Sequence, residues 1–461
     1  MEKNEKQNKR LRLTTIQIVA FGFLLVILLG GFLLSLPVCN QKPIAFIDAM
    51  FTSVTCVCVT GLVTIVPADQ FTLIGKMVVL LLIQIGGLGI IACTSAFFLI
   101  LGKRISMKGR IVIQEAYGLE TLSGLVKFMI GVLRGTFLAE GVGALLYAVR
   151  FVPEYGFVKG IGYGVFHAVS AFCNAGVDIL GDSSFTRFVT DPLINGVTIF
   201  LIIISGLGFP VWHDIYMNTK KVISEKLPKE RLITRLGLQS KVVLMMTAAL
   251  ILIGTVGIFL FEYNNPDTIG ELNLAQKLTA SLFQSVTTRT AGFATVPQSS
   301  LTPSSRLLSC MLMFVGGSPA GTAGGIKTTT AALLALTVIC VLRGYRNTEC
   351  FGYQISRDLV RTGLTISLLS FFFWLCGVSV LTILEPEQEF LNLMYEAMSA
   401  AATVGLTADL TPLLSRGSHI VLMVLMYIGR IGPMTMALLL SGRAQRSSKF
   451  RELPEKKIMI G

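Results

Sequence analysis

Gly61, Gly176, Gly292 and Gly405 lie 115, 116 and 113 residues apart, each after a short semi-polar stretch and before an apolar residue. Glycine reaches backbone angles closed to other residues, so a chain passing through it can turn successive carbonyl oxygens toward one axis. Rings of such oxygens can replace the hydration shell of an alkali ion. The residues ahead of the glycines are Val59-Thr60, Asn174-Ala175, Thr290-Ala291 and Thr403-Val404. These twelve positions are the candidate ion-binding set, with potassium or sodium as the ion and no other metal expected. Close helix packing is the alternative use of small residues in a membrane, but four evenly spaced copies favour the loop reading. Asp178, two residues past Gly176, is placed to hold a hydrated cation at the mouth or to cap a turn.

A second pattern follows each glycine by 24 to 29 residues: Gly86-Gly87-Leu88-Gly89, Ser205-Gly206-Leu207-Gly208, Gly316-Gly317-Ser318-Pro319 and Gly429-Arg430-Ile431-Gly432. In the third copy it opens a run of small or flexible residues, Gly316, Gly317, Ser318, Pro319, Ala320, Gly321, Thr322, Ala323, Gly324 and Gly325, followed by Ile326 and Lys327. Glycine- and proline-broken helices mark permeation sites in membranes, so 316–325 is expected to be an intramembrane gate loop beneath the glycines. A phosphate-binding loop needs glycine directly before its lysine, and Ile326 stands in that place. Arg430 falls at the level of Gly87, Gly206 and Gly317, near the middle of the last apolar run. A charge that deep faces a cavity or a partner. It would either repel a second cation on the path or bond the loop's carbonyls.

The elements that must position these residues are membrane helices. Mean hydropathy is +0.72, hydrophobic residues are 53% and charged residues 14%, against about 25% charged in soluble domains. Apolar runs of spanning length fall near 13–37, 72–101, 127–149, 192–217, 238–261, 302–342, 359–384 and 414–441, two per glycine. Arg134 and Glu140 interrupt the third. Short helices near 43–56, 160–172, 272–287 and 388–400 precede the glycines and cannot cross a bilayer, which takes about 20 residues. They are expected to be re-entrant, each aiming the negative end of its dipole at the axis. No cleavable signal peptide is evident.

The expected fold class is an all-α polytopic membrane protein. It has four helix–pore-loop–helix repeats, eight transmembrane helices and four re-entrant pore helices, with pseudo-fourfold symmetry around a single pore. The repeats are 13–101, 127–217, 238–343 and 357–441, between cytoplasmic tails 1–12 and 442–461. Of 39 basic residues, 27 fall on the side of the termini, nine on the glycine side and three (Arg134, Lys327, Arg430) at membrane depth. Lys/Arg excess marks the cytoplasmic face, so both termini are expected inside and the loops outside. The net charge of +13 is therefore a topology signal and not a nucleic-acid surface. Nine cysteines and three histidines show no zinc-ligand spacing. No nucleophile–base set indicates an enzyme. The even number of crossings per repeat and the absence of an intramembrane carboxylate pair weigh against a symporter of organic solutes.

The loop Ser285-Val286-Thr287-Thr288-Arg289-Thr290-Ala291-Gly292-Phe293 and the run from Gly316 to Thr330 resemble those of the Trk/Ktr/HKT superfamily of potassium transporters. The likeness covers residues 13–441, and eight helices with a short N-terminal tail look most like the membrane subunit of Ktr systems. The resemblance implies potassium uptake, a homodimer with one pore per chain, a cytosolic RCK-type (KtrA-like) nucleotide-binding ring subunit, and stimulation by sodium. In the plant relatives a serine at the first glycine goes with sodium transport. Gly61 at that position implies potassium. No covalently bound cofactor is implied.

Overall fold

The computed structural model describes residues 15–100, 107–118, 123–226, 228 and 231–440. The expected tails, 1–12 and 442–461, lie outside them. Among the described residues, four single helices are long and apolar enough to cross a membrane: Gln17–Ser35, Leu125–Tyr155, Leu238–Glu262 and Arg357–Leu384. Each opens one repeat. The second runs unbroken through Arg134 and Glu140. Leu25, Leu29, Phe32, Leu138, Leu145, Leu252, Leu260, Leu368 and Phe372 on these helices are exposed. Apolar side chains facing outward at that density suit lipid tails and not water.

A short helix follows in every repeat: Phe46–Cys58, Phe157–Cys173, Leu274–Thr287 and Phe390–Ala401. They match the expected re-entrant segments within a few residues. Their last turns and the glycine loops after them are almost wholly buried, so the centre of the molecule is built from irregular backbone that only protein covers. Such backbone is tolerated at membrane depth on that condition. Hydroxyls fix the short helices to the long ones. Ser53 donates to the Ile27 carbonyl at 2.7 Å and Ser285 to the Ile251 carbonyl at 2.9 Å, an equivalent bond in repeats one and three.

The second helix of each repeat departs from expectation. A break was expected in the third repeat alone, but all four are broken. Leu73–Leu88 and Ile90–Ala96 meet at 105°, and Pro192–Gly206 and Phe209–Ser224 at 93°. Pro303–Phe314 is separated from Thr328–Leu342, and Arg416–Ile431 from Pro433–Leu440. The cause is the last residue of the second sequence pattern. Gly89, Gly208 and Gly432 hold φ of 82°, 88° and 96°, a left-handed step that stops a right-handed helix. Pro210 and Pro433, within the first two residues of the resumed helices, suit a new first turn and not a helix interior. In the third repeat Pro319 replaces that glycine and the break lengthens to 315–327.

The ends of the broken helices are held as firmly as their middles are interrupted. Glu262, which closes its long helix, accepts hydrogen bonds from the Thr302 amide at 2.9 Å and the Thr302 hydroxyl at 2.7 Å. Thr302 caps the next helix. Glu385 does the same for Ser415, at 2.8 Å to its amide. Capping satisfies amides that a helix start leaves open. It also fixes the entry point of each half-helix relative to the glycine loop it supports.

Candidate functional site: a ring of glycine loops over an intramembrane loop

Each short helix ends in the same three-residue device. Val59, Asn174, Thr290 and Thr403 have φ of 56°, 58°, 66° and 53°, and two residues later Gly61, Gly176, Gly292 and Gly405 have φ of 107°, 63°, 82° and 95°. Thr60, Ala175, Ala291 and Val404, between them, are not left-handed. Alternating handedness turns consecutive carbonyls the same way, where a strand would alternate them. Helical hydrogen bonding still anchors the device: the amides of Thr60, Ala175 and Val404 each donate at 2.8 Å to Thr55, Ser170 and Ser399 carbonyls.

The four loops form one closed circuit. A β-carbon placed on Gly61 would come 2.7 Å from the carbonyl oxygen of Ala175, one on Gly176 2.7 Å from that of Ala291, and one on Gly292 2.7 Å from that of Val404. One on Gly405 would strike the Thr60 carbonyl. Each glycine thus abuts the next repeat's carbonyl in the order one, two, three, four and back to one. All twelve sequence-expected residues meet here.

Sequence reasoning missed the hydroxyls behind the ring. Thr55 and Ser399 accept from the Gly61 and Gly405 amides at 2.9 and 3.0 Å, while Ser170 and Thr287 donate to the Val177 and Phe293 carbonyls, both at 2.6 Å. The available signal was a Ser or Thr five or six residues before every glycine. Aromatic stacking braces repeats two and three further out: Phe185 and Phe293 lie 4.8 Å apart with planes 6° off parallel. Arg289, conspicuous in the sequence, points away from the ring toward Thr247.

On one side the four glycines floor a cavity of about 310 Å³ whose lining includes Asp178, Asp182 and Asp409 and, among the described residues, no lysine or arginine. Asp178 lines this mouth and accepts from the Leu180 amide at 3.2 Å.

On the other side the run 316–325 crosses directly beneath the ring. Its stem is pinned by a parallel bridge between Val315 and Ile326 and by the Thr328 amide donating to Gly317 at 3.0 Å. Repeat two holds one flank, through Ser318 to the Gly206 carbonyl at 2.9 Å and Phe209 to the Ala320 carbonyl at 3.1 Å. The tip touches the ring itself: Asn174 donates to the Thr322 hydroxyl and the Gly324 amide to the Thr290 hydroxyl, both at 3.1 Å. From repeat four, Arg430 donates to the Thr322 carbonyl at 2.6 Å and to the carbonyls of Gly86 and Gly87. Lys327 folds back on the Ala323 carbonyl at 2.7 Å. Arg430 therefore joins repeats one and four to the loop through three carbonyls.

Glu140 is a buried carboxylate. It accepts from Gln84 at 3.0 Å and lies 4.0 Å from the Cys173 sulfur, tying the long helix of repeat two to the broken helix of repeat one.

Four helix–loop–helix repeats wound about one axis inside an apolar surface define a membrane-embedded pore architecture. The chain belongs to the TrkH family of cation transport proteins, whose model matches residues 2–449. It is 39% identical to the potassium/sodium uptake protein NtpJ of Enterococcus hirae and 37% identical to the Ktr system potassium uptake protein B of Bacillus subtilis, covering 99% of each chain in both cases. Its fold is similar to the crystal structure of the potassium transporter TrkH from Vibrio parahaemolyticus, with a TM-score of 0.70, 18% identity, and coverage of 94% of this chain and 86% of that one.

Proposed function

We propose that this protein takes up potassium across the cell membrane through a selectivity filter formed by the carbonyls of residues 59–61, 174–176, 290–292 and 403–405. The observation that carries the reading is the closed circuit in which each filter glycine abuts the next repeat's carbonyl. A ring built so leaves no room for side chains at the four glycines, only for backbone oxygens and what they bind. The acidic mouth faces outward and concentrates cations before they shed water. Both termini are cytoplasmic, a reading supported by the excess of basic residues on their side.

The 316–325 loop is the gate, closed in this conformation and held by Arg430. A cytosolic nucleotide-binding ring moves it by pulling on the half-helix Thr328–Leu342, and the chain works as a homodimer with one pore per chain. Sodium acts as activator and as a second, less favoured cation. The relative named for both potassium and sodium uptake, at 39% identity, supports that breadth. One glycine per loop, where the four-subunit potassium filter has two, supports it from the chemistry.

Expression in a cell lacking its own potassium uptake tests the proposal. Growth at low potassium should be restored, and more strongly with sodium present. No rescue at any potassium level by properly inserted protein would overturn it.

A further inference from the structure

We infer that the side chains of Asn174, Thr290 and Thr403 form a cation site at the inner end of the filter, and that the 316–325 loop closes by seating in that site, so bound cation and closed loop exclude one another. The inference rests on the transport reading and adds a regulatory site to it.

The three residues hold the same left-handed position in repeats two, three and four, and all are fully buried. Their polar groups converge on the loop tip. The Thr290 hydroxyl oxygen accepts from the Gly324 amide, which offers it the positive end of a dipole where a cation would sit. The Asn174 amide is engaged by Thr322. The Thr403 hydroxyl has no hydrogen-bond partner at all, although it lies against Gly324, where any β-carbon would collide with it. A buried hydroxyl left without a partner is uncommon and calls for a cause. Here the cause is that its partner, an ion, is displaced by the loop.

Gly324 is shaped for this seat, since a β-carbon there would also come 2.9 Å from the Ala402 carbonyl. Repeat one contributes Val59, whose apolar side chain packs against Gly86, so the site is three-sided. The Asn174 amide oxygen now accepts from the Ser205 hydroxyl at 3.3 Å; when the loop withdraws, rotation of the amide turns its NH2 to that hydroxyl and brings its oxygen to the axis beside the two threonine hydroxyls. Three uncharged oxygens suit a large monovalent cation that keeps part of its water. A cation bound there favours the open loop by mass action. Internal potassium thereby acts as an opening ligand of its own gate.

Thr403→Val tests this cleanly, because it is isosteric and removes a hydroxyl that makes no bond. The measurements are rubidium-86 flux into proteoliposomes and the unfolding midpoint of the purified protein as potassium is raised, since a ligand bound to the native state raises that midpoint. Thr403→Val should raise the half-saturating rubidium concentration at least threefold and shrink the potassium-induced rise in midpoint, and Thr403→Ser should restore both. Thr290→Val should lose affinity in the same way and also conduct faster without the cytosolic partner, because the Gly324 amide loses its acceptor. Gly324→Ala should conduct faster with affinity retained. Wild-type half-saturation and a wild-type midpoint shift in Thr403→Val would overturn the inference. Absence of rubidium flux in the wild type would overturn the transport reading instead, and the midpoint shift would still decide the site.

Discussion

Replacing Arg430 by glutamine should open the pore. The guanidinium holds the Thr322 carbonyl at 2.6 Å and bonds the Gly86 and Gly87 carbonyls of repeat one. With Lys327 on the Ala323 carbonyl, it is one of two basic side chains that hold the loop tip, and the one that ties the tip to repeats one and four. A hydrogen bond involving a charged group contributes about 1.5–3 kcal/mol, where a neutral one contributes about 1 kcal/mol. Losing the Thr322 bond therefore shifts the closed-to-open ratio by roughly 10- to 150-fold, at about 1.4 kcal/mol per tenfold. Rubidium-86 flux through proteoliposomes without the cytosolic partner should rise at least tenfold, up to the ceiling set by a permanently open loop. Removing a positive charge beneath the glycine ring would act in the same direction, so Arg430→Lys separates the two causes. Lysine keeps the charge but cannot span three carbonyls with a planar fork. If tethering dominates, Arg430→Lys conducts faster than wild type. If repulsion dominates, it does not. Unchanged flux in Arg430→Gln, with normal insertion, would refute the assignment of Arg430 as the loop's restraint.

Other outcomes follow from the same geometry. Gly61→Ser should raise sodium permeation relative to potassium, and Gly405→Ser should damage transport more, because a β-carbon on Gly405 meets the Thr60 backbone carbonyl more closely than one on Gly61 meets Ala175; bi-ionic flux ratios check both. Deleting Gly317 to Gly324 should raise uptake velocity and weaken dependence on the cytosolic partner in the same liposome assay. Glu140→Leu leaves the half-buried Gln84 amide without its acceptor and should cost about 1 kcal/mol of stability, seen as a lower unfolding midpoint in detergent.

The sequence carried the repeat and the re-entrant helices clearly, because four glycines in matching settings are a strong signal and twelve to fifteen apolar residues cannot span. It carried the broken helices poorly. Gly89, Gly208 and Gly432 stood in the repeated pattern, yet apolar residues continue on both sides, and hydropathy is blind to the sign of φ. The third break was legible only because its ten small residues interrupt the apolar run. The hydroxyls at 55, 170, 287 and 399 were hidden among many other Ser and Thr residues in apolar surroundings. The bonds from Asn174 and Thr290 to the loop tip, which sequence could not show, tie the glycine loops to 316–325, so loop variants are expected to change ion preference to a measurable degree.

The closed circuit of loops has a consequence for how the protein can vary. A pore assembled from four copies of one subunit must accept every substitution fourfold, so a bulky or charged side chain near its axis appears as a complete ring or not at all. Here the four quarters are separate stretches of one chain, and each is free to differ. A single asparagine can stand at 174 and a single arginine at 430, where four arginines at that level would bar any cation. The architecture admits changes to its pore one quarter at a time.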